Sequence, residues 1–551
     1  MRPSQTVLRS AVMAMAMGLL AAPMASADIG DNRPPGADET VWRNYVEGYQ
    51  EQPDWSPKGT IIADSGFRAH PNGFSFFNTG VPDSFNNAMF GSPLTGPRNL
   101  DADSMRSLMG KRVCVERKAS GTCTLTLAAQ QWMASANDSM AGGHCFGFAS
   151  TAAELFTGML QVPRFQPGIQ QTYDLALRAP ISRQIARNMA SQYAMNVMDY
   201  RTSPKRAVEL LKRSLSPGST PYTLFILWGG GGHAVTPYAV FDKGEGLYDI
   251  GVYDNNYPDA DRAIRVNTNT NTYKYLVMTD PSGEPDIASE VIGLVPTEVI
   301  AGKQSCPFCP GANETTVQLT PVKSRVPIKT RITDLDGKKI PKVVVNKPTN
   351  PWRPGRKWEF PTYTVPPRQE FVVSIDARRS KRSVRTNVLA ATGQFTIGTQ
   401  GAVIPARAVG AVGLVPNKGL IVYGSQKGSD LGSLIFVDAL PTMQVEVQAT
   451  TGSTGDPFLL GQLKERAKKV RIFTPDGQQG RAEASAVLVY ANKRGRSMML
   501  EAQASTGLPR NGRLVMDYSK WSPKKPRGIR AFVTARGNKT PVRLQIGKSP
   551  A

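Results

Sequence analysis

Three segments hold the residue types that acyl chemistry needs, in a workable order. Cys145 lies in GGHCFGFA (142–149), His233 in GGHAV (231–235) and Asp254 in VYDNNYP (252–258). A thiol attacks a carbonyl as its thiolate, so it needs surroundings that favour the anion, a base to move its proton, and a third group to orient the base. Cys145 opens an apolar run that reads as a helix, whose N-terminal N–H groups favour an anion. Gly142 and Gly143 let the chain turn tightly before it. His233 follows the glycines 229–232 and begins the strand-like HAVTPYAV, a place from which an imidazole can reach a helix end. The chain has three histidines; His70 sits in an irregular stretch, and His144, next to Cys145, points elsewhere on the same turn. Asp254 ends the strand-like YDIGVYD and is the preferred orienter, with Asn256 as the alternative, although DNNYPD is also good Asx-turn chemistry. The Cys145 N–H supplies one oxyanion donor, and Asn137 is the candidate for the second, with Gln130 and Gln131 as alternatives.

Cysteine arithmetic supports a free thiol at position 145. The chain has five cysteines. Cys114 and Cys123 are close enough in sequence to pair in VCVERKASGTC, and Cys306 and Cys309 form CPFC, which leaves Cys145 single. CPFC lacks both a thioredoxin-like βαβ context and a second CxxC for zinc, so it reads as a local disulfide at a domain junction. Pairing of this kind fits export. Arg2 and Arg9 precede an apolar run from Ala11 to Ala22, and Ala25-Ser26-Ala27 is an A-x-A cleavage site, the pattern of a secretory signal peptide. No later segment has the length and apolarity of a membrane span. The expected location is secreted, extracellular or at the cell envelope.

The elements that must position these residues follow from periodicity. After the signal peptide (1–27), residues 28–98 are rich in Gly, Pro, Asn and Asp and read as a loop-rich lead-in, either part of the catalytic domain or a pro-segment. Residues 99–302 form the candidate catalytic domain. There, 145–160 is apolar around most of a helical circumference and reads as a buried helix. Residues 171–199 are helical in composition with a break at Pro180, and Ser203-Pro204 caps AVELLKRSL. TLFILW, AVTPYAVF, LYDIGVYD and YKYLVM then read as a small antiparallel sheet. Beyond the CxxC junction (303–314), short β-rich runs recur at the spacing of a sandwich, and LLGQLKERAKK alone has helix length. This divides into a β-sandwich-like module (315–455) and a second basic β module (456–551). RITDLDGKK and RIFTPDGQQ hint at a duplication. The fold class expected is α+β followed by one or two all-β modules.

Charge is divided unevenly. Of the net +23, residues 303–551 carry 41 Lys+Arg against 15 Asp+Glu, whereas residues 1–302 carry 25 against 28. The basic half favours an anionic surface such as a cell-envelope polymer. A merely well-solvated surface accounts for the composition equally well, and no dense run of basic and aromatic residues marks a specific nucleic-acid stripe.

GFSFFNTG, GGHCFGFA, GGHAV and VYDNNYP together resemble a papain-like bacterial cysteine-peptidase domain, of the papain type or the bacteriocin-processing type, over about residues 66–281. The resemblance implies a helical subdomain with Cys145 packed on a β subdomain with His233 and Asp254, and the site in the groove between them. Ser139 stands where papain has a Gln six residues before the cysteine, and the C-G-x-C-W context is absent, so the second oxyanion donor and the specificity do not carry over.

The function expected is an exported cysteine peptidase or amidase working through a Cys145–His233–Asp254 triad and a thioester. It needs no cofactor or metal, takes a protein or peptide substrate, and is tethered by its basic β modules. Two alternatives remain open. A transglutaminase-like acyl transferase would incorporate amines, and a catalytically silent cell-surface binding protein would show no enhanced thiol reactivity.

Overall fold

The structure is a computed structural model, and it describes residues 32–550 apart from 51–53, 79–83, 91–98, 115–122, 124, 229–230, 277–286, 290, 310–314, 322–327, 347–361, 367–368, 393–394, 426–432, 441–442, 453–457, 465–467, 474–479, 492–496, 523–524 and 526–527. The signal-peptide expectation therefore lies outside the described residues. The chain is mixed α+β, with sheets dominating its C-terminal part. It divides into two compact units, the first from residues 32–108 and 135–304, the second from 109–134, 305–348 and 358–550. Among the described residues, no helix is long and apolar enough to cross a membrane.

In the first unit the lead-in is more regular than its composition suggests. It holds helix α1 (Glu39–Gln50) and strand β1 (Thr60–Asp64), which pairs with the histidine strand. Trp42 and Tyr49 of α1 are buried with Phe77, Met89 and Tyr257, so the few aromatics of this stretch do the packing that periodicity fails to announce. Helix α2 (Leu127–Ser139) belongs to the second unit up to Ala134 and to the first from Ser135; α3 (Cys145–Phe156) follows it and is buried at every position from Cys145 to Leu155. Gly147 lets α4 (Ala179–Ala194) cross α3 closely, since a Cβ there would lie 2.1 Å from the Ile185 carbonyl oxygen. Residues 171–178 are not helical; Pro180 sits in the first turn of α4, where its missing N–H costs nothing. Helix α5 (Pro204–Ser214) starts as expected, with Ser203 Oγ accepting the Arg206 N–H at 3.3 Å.

The sheet of this unit comprises β2 (Arg201–Thr202), β3 (Tyr222–Trp228), β4 (Gly231–Asp242), β5 (Leu247–Tyr253), β6 (Asp261–Asn267), β7 (Thr272–Tyr275), β8 (Ile287–Ser289) and β9 (Ile292–Pro296), ordered β2-β9-β3-β4-β5-β6-β7-β8, with β1 also on β4. All of its pairings are antiparallel. Val208 and Leu211 of α5 pack with Leu224, Val235 and Ile250. Phe148, Ala152 and Leu155 of α3 pack with Tyr238, Ala239 and Tyr253. Helices thus cover the sheet, and β4 with β5 lies in its middle.

The second unit is a two-layer β structure. It begins with β10 (Thr315–Pro321), β11 (Lys329–Thr333), β12 (Val344–Asn346), β13 (Thr362–Val365) and β14 (Phe371–Asp376). Hairpins follow: β15 (Val384–Ala391) with β16 (Phe395–Ile404), β17 (Val409–Val415) with β18 (Leu420–Ser425), β19 (Ser433–Leu440) with β20 (Met443–Gly452), β21 (Phe458–Lys464) with β22 (Lys469–Phe473), β23 (Gly480–Ala491) with β24 (Ser497–Leu508), and β25 (Arg513–Asp517) with β26 (Arg530–Ala535). Strands β27 (Asn538–Val542) and β28 (Gln545–Pro550) close the series. One sheet runs β12-β13-β10-β15-β16-β19-β20-β23-β24-β28 and the other β11-β14-β17-β18-β21-β22-β25-β26-β27, so successive hairpins alternate between sheets. Residues from both sheets, among them Val388, Ile397, Val412 and Ile421, share one apolar core.

Two expectations differ here. LLGQLKERAKK supplies strand rather than helix: β21 pairs with β18 and β22, and Gly461, with no side chain, admits the Phe436 ring. Cross-strand packing overrides the helical composition. The module boundary at 455 is crossed by ladders, β20 to β23 and β18 to β21, so both sheets run continuously through it. Of the two turns suggesting a duplication, Asp334 Oδ1 accepts the N–H groups of Asp336 and Lys338, and the other (474–479) lies outside the described residues. Both cysteine pairs are disulfide-bonded, Cys114 with Cys123 and Cys306 with Cys309, and Cys145 is free.

Candidate active site

The thiol, the imidazole and the carboxylate come from three adjoining elements. Cys145 is the first residue of α3 and is buried. Gly143, before it, has φ of 126°, which an L side chain resists, and a Cβ there would lie 3.0 Å from Asn78 Oδ1. His233, on β4, is paired with Ile226 of β3, and Asp254 follows β5. His233 Nε2 and Asp254 Oδ1 are 2.7 Å apart, and both residues are buried. The Cys145 side chain is the other group that acts on the His233 ring. With Nε2 on Asp254, Nδ1 is the ring nitrogen left for the thiol.

Burial alone would hold His233 neutral, yet the Asp254 charge and hydrogen bond, with the Cys145 side chain, outweigh it and raise its pKa to about 10. Burial likewise pushes Asp254 up, but the His233 charge and hydrogen bond, Arg262 and the Tyr275 hydroxyl outweigh that and hold the carboxyl below its usual range. The pair is therefore imidazolium and carboxylate at neutral pH.

Behind Asp254 lies a support that its sequence neighbourhood does not reveal. Tyr275 of β7 donates its hydroxyl to Asp254 Oδ2 at 2.5 Å. Arg262 of β6 is fully buried, lies 4.0 Å from the Tyr257 ring centroid, and faces Tyr275 and, on α1, Tyr49 at 5.8 and 5.9 Å. It donates to the Leu276 carbonyl. The lead-in thus completes an aromatic box around a cation that helps to hold Asp254 ionised.

The remaining candidates divide. Asn256 does not orient His233: its N–H donates to Asp254 Oδ1 at 2.8 Å, and its side-chain oxygen accepts from Asn78. Asn137 is corrected as an oxyanion candidate, because its Oδ1 accepts the Leu100 N–H and its Nδ2 donates to the Leu100 carbonyl. Gln130 is likewise engaged, with the Leu125 carbonyl. Instead Asn78, from GFSFFNTG, reaches this helix end: its Oδ1 accepts the His144 N–H at 2.6 Å and its Nδ2 donates to Asn256 Oδ1 at 3.0 Å. The His144 ring turns away to Asn99, and His70 stacks edge-on against Tyr173.

In the second unit, charge gathers on one outward face. Register places Lys469, Arg471, Arg513, Arg530 and Lys539 on the same side of β22, β25, β26 and β27, opposite to the core residues Val470, Ile472, Leu514 and Val533. Asp517 is the acid on that face, salt-bridged to Lys469 and Arg530. The Phe532 ring is covered, with Lys539 Nζ 3.8 Å from its centroid. Among the described residues, no cluster of His, Cys, Asp or Glu could hold a metal ion.

No protein-family model, curated protein or solved structure matches the chain.

Proposed function

We propose that this chain is an exported, papain-like cysteine hydrolase that cleaves peptide or amide bonds through Cys145. The observation that carries the reading is the buried relay Cys145–His233–Asp254, with Asp254 itself held by Tyr275 and Arg262. The Cys145 sulfur attacks the scissile carbonyl carbon, and His233 carries the proton to the leaving amine as the C–N bond breaks. Water then attacks the thioester with His233 as base, releasing the acid and restoring the thiol. An imidazolium beside the sulfur and the N-terminal N–H groups of α3 favour the attacking anion. The Cys145 N–H is one oxyanion donor, and the second is assigned to the Asn78 Nδ2 hydrogen that does not go to Asn256 Oδ1, the role sequence reading gave to Asn137.

Cys145→Ala should lower hydrolysis of a protein or peptide substrate by about a thousandfold or more. Unchanged hydrolysis in that variant would end the proposal. Amine incorporation outrunning hydrolysis would favour the transferase instead. The pH profile follows from the pair. Activity should decline as pH rises through about 10, where His233 loses its proton. The stability this raised group contributes is fully present below its ordinary value of about 6.5 and is lost over the same rise.

The outward face of β22, β25, β26 and β27 supports the second part of the reading, a tether to a linear phosphate- or carboxylate-bearing envelope polymer. Lys539 covers the Phe532 ring on this face, which removes that ring as a platform for base stacking. Binding of the full chain to polyphosphate should weaken with salt and drop at least about tenfold in the triple variant Arg471→Glu, Arg513→Glu, Lys539→Glu. Binding that ignores both, or a preference for single-stranded DNA over polyphosphate, would remove the tether.

A further inference from the structure

Asn255 sits between Asp254 and Asn256 and belongs to neither of their roles. It is fully buried. Its side-chain Nδ2 donates to two carbonyls at once, Ala234 O at 2.9 Å and Cys145 O at 3.2 Å. Ala234 follows His233 in β4, and Cys145 begins α3, so one amide holds together the backbones that carry base and nucleophile. Its own carbonyl accepts the Asn78 N–H at 2.8 Å, which brings the proposed oxyanion amide into the same joint. One turn farther along α3, Thr236 Oγ1 of β4 donates to the Ala149 carbonyl at 2.8 Å. Helix and strand are therefore stitched at successive turns, and Asn255 is the stitch beside the chemistry.

The other end of the amide makes the arrangement costly. Asn255 Oδ1 is buried with no hydrogen-bond partner among the described residues. A buried unsatisfied carbonyl costs about 1–3 kcal/mol, so an aliphatic side chain would serve mere packing better. We propose that Asn255 is a positioning residue, which fixes the separation of Cys145 from His233 through the carbonyls of Cys145 and Ala234. This rests on the hydrolase reading above. Small displacements of reacting groups cost large factors in rate, whereas the fold loses only two hydrogen bonds.

The test is the rate of Cys145 alkylation by iodoacetamide in the full chain, measured from about pH 5 to pH 10, for wild type, Asn255→Ala and the milder Asn255→Ser. Near-UV circular dichroism establishes folding. Wild type should stay reactive at the acidic end, where an ordinary thiol is slow. Asn255→Ala should lose at least about tenfold there while staying within about threefold of wild type at the alkaline end, with Asn255→Ser between them. Thr236→Val should keep the wild-type profile. A folded Asn255 variant with the wild-type profile overturns the inference, as does equal loss at every pH. Failure of both Asn255 variants to fold makes the residue a core group and overturns it too. A wild-type profile like that of a free thiol would instead count against the hydrolase reading itself.

Discussion

The two units bury different things. The first hides Glu154, Arg187, His233, Asp249, Asp254 and Arg262 from solvent, whereas Asp517 is the one charged side chain buried among the described residues of the second. Each buried charge is expensive unless neighbours replace its water, and around Glu154 and Arg187 they do, whereas Arg262 Nε and Nη1 have no hydrogen-bond partner among the described residues. Arg187 donates to the carbonyls of Ile300, Ala301 and Gly302, Asn188 and Gln184 donate to Glu154, and rings surround Arg262. The β unit has one such obligation among its described residues, Asp517, met by Lys469 and Arg530, and alternation of aliphatic and polar residues builds the rest. Buried charge that includes a hydrogen-bonded His233–Asp254 pair is what a site demands; a scaffold alone would shed it.

The sharpest way to break this contrast is Arg262→Met, which keeps bulk but removes the buried cation. It should cost about 3–5 kcal/mol in urea unfolding and slow Cys145 alkylation, since Asp254 loses a neighbour that holds it ionised. A loss below about 1 kcal/mol would mean that the aromatic box needs no cation. Next in size, Ile472→Ala in the shared β core should cost about 2–4 kcal/mol through the cavity it leaves, with alkylation of Cys145 unaltered. An altered alkylation rate would contradict the separation of roles.

The smallest effect tests a buried charge away from the relay. Burial raises Glu154 to about 7 despite its hydrogen bonds and Arg187. A carboxyl raised in the folded state binds protons that the unfolded chain has released, so its contribution to stability falls as pH rises from about 4.5 to 7. Glu154→Gln should therefore flatten the stability profile by about 2 kcal/mol over that window, relative to wild type. Parallel profiles would show that the carboxyl stays ionised.

Much of the site was legible because its residue types are scarce. With three histidines and a single unpaired cysteine, chain order alone nominated Cys145, His233 and Asp254. Their supports were not, for a physical reason in each case. Asn255 lies inside DNNYPD, where turn chemistry already explains an asparagine. Tyr275 and Arg262 look like ordinary strand residues, and Asn78 acts from a segment 67 residues before the cysteine that has no periodicity. In the β unit, strands showed in period-two alternation, but the continuity of the sheets across 455 did not. Pairing between β18 and β21 is invisible to a local pattern. LLGQLKERAKK misled because helix and strand composition overlap in short amphipathic runs.

The alternation of hairpins between the two sheets has an evolutionary corollary. Within the first of those sheets, hairpins begin at 384, 433 and 480, a step of about 48 residues that includes one hairpin on the opposite layer. Loss or gain of a single hairpin would assign every later one to the wrong layer and expose its apolar side. Change by a pair preserves the layers, so the unit can grow or shrink only in whole steps, and its length is a count.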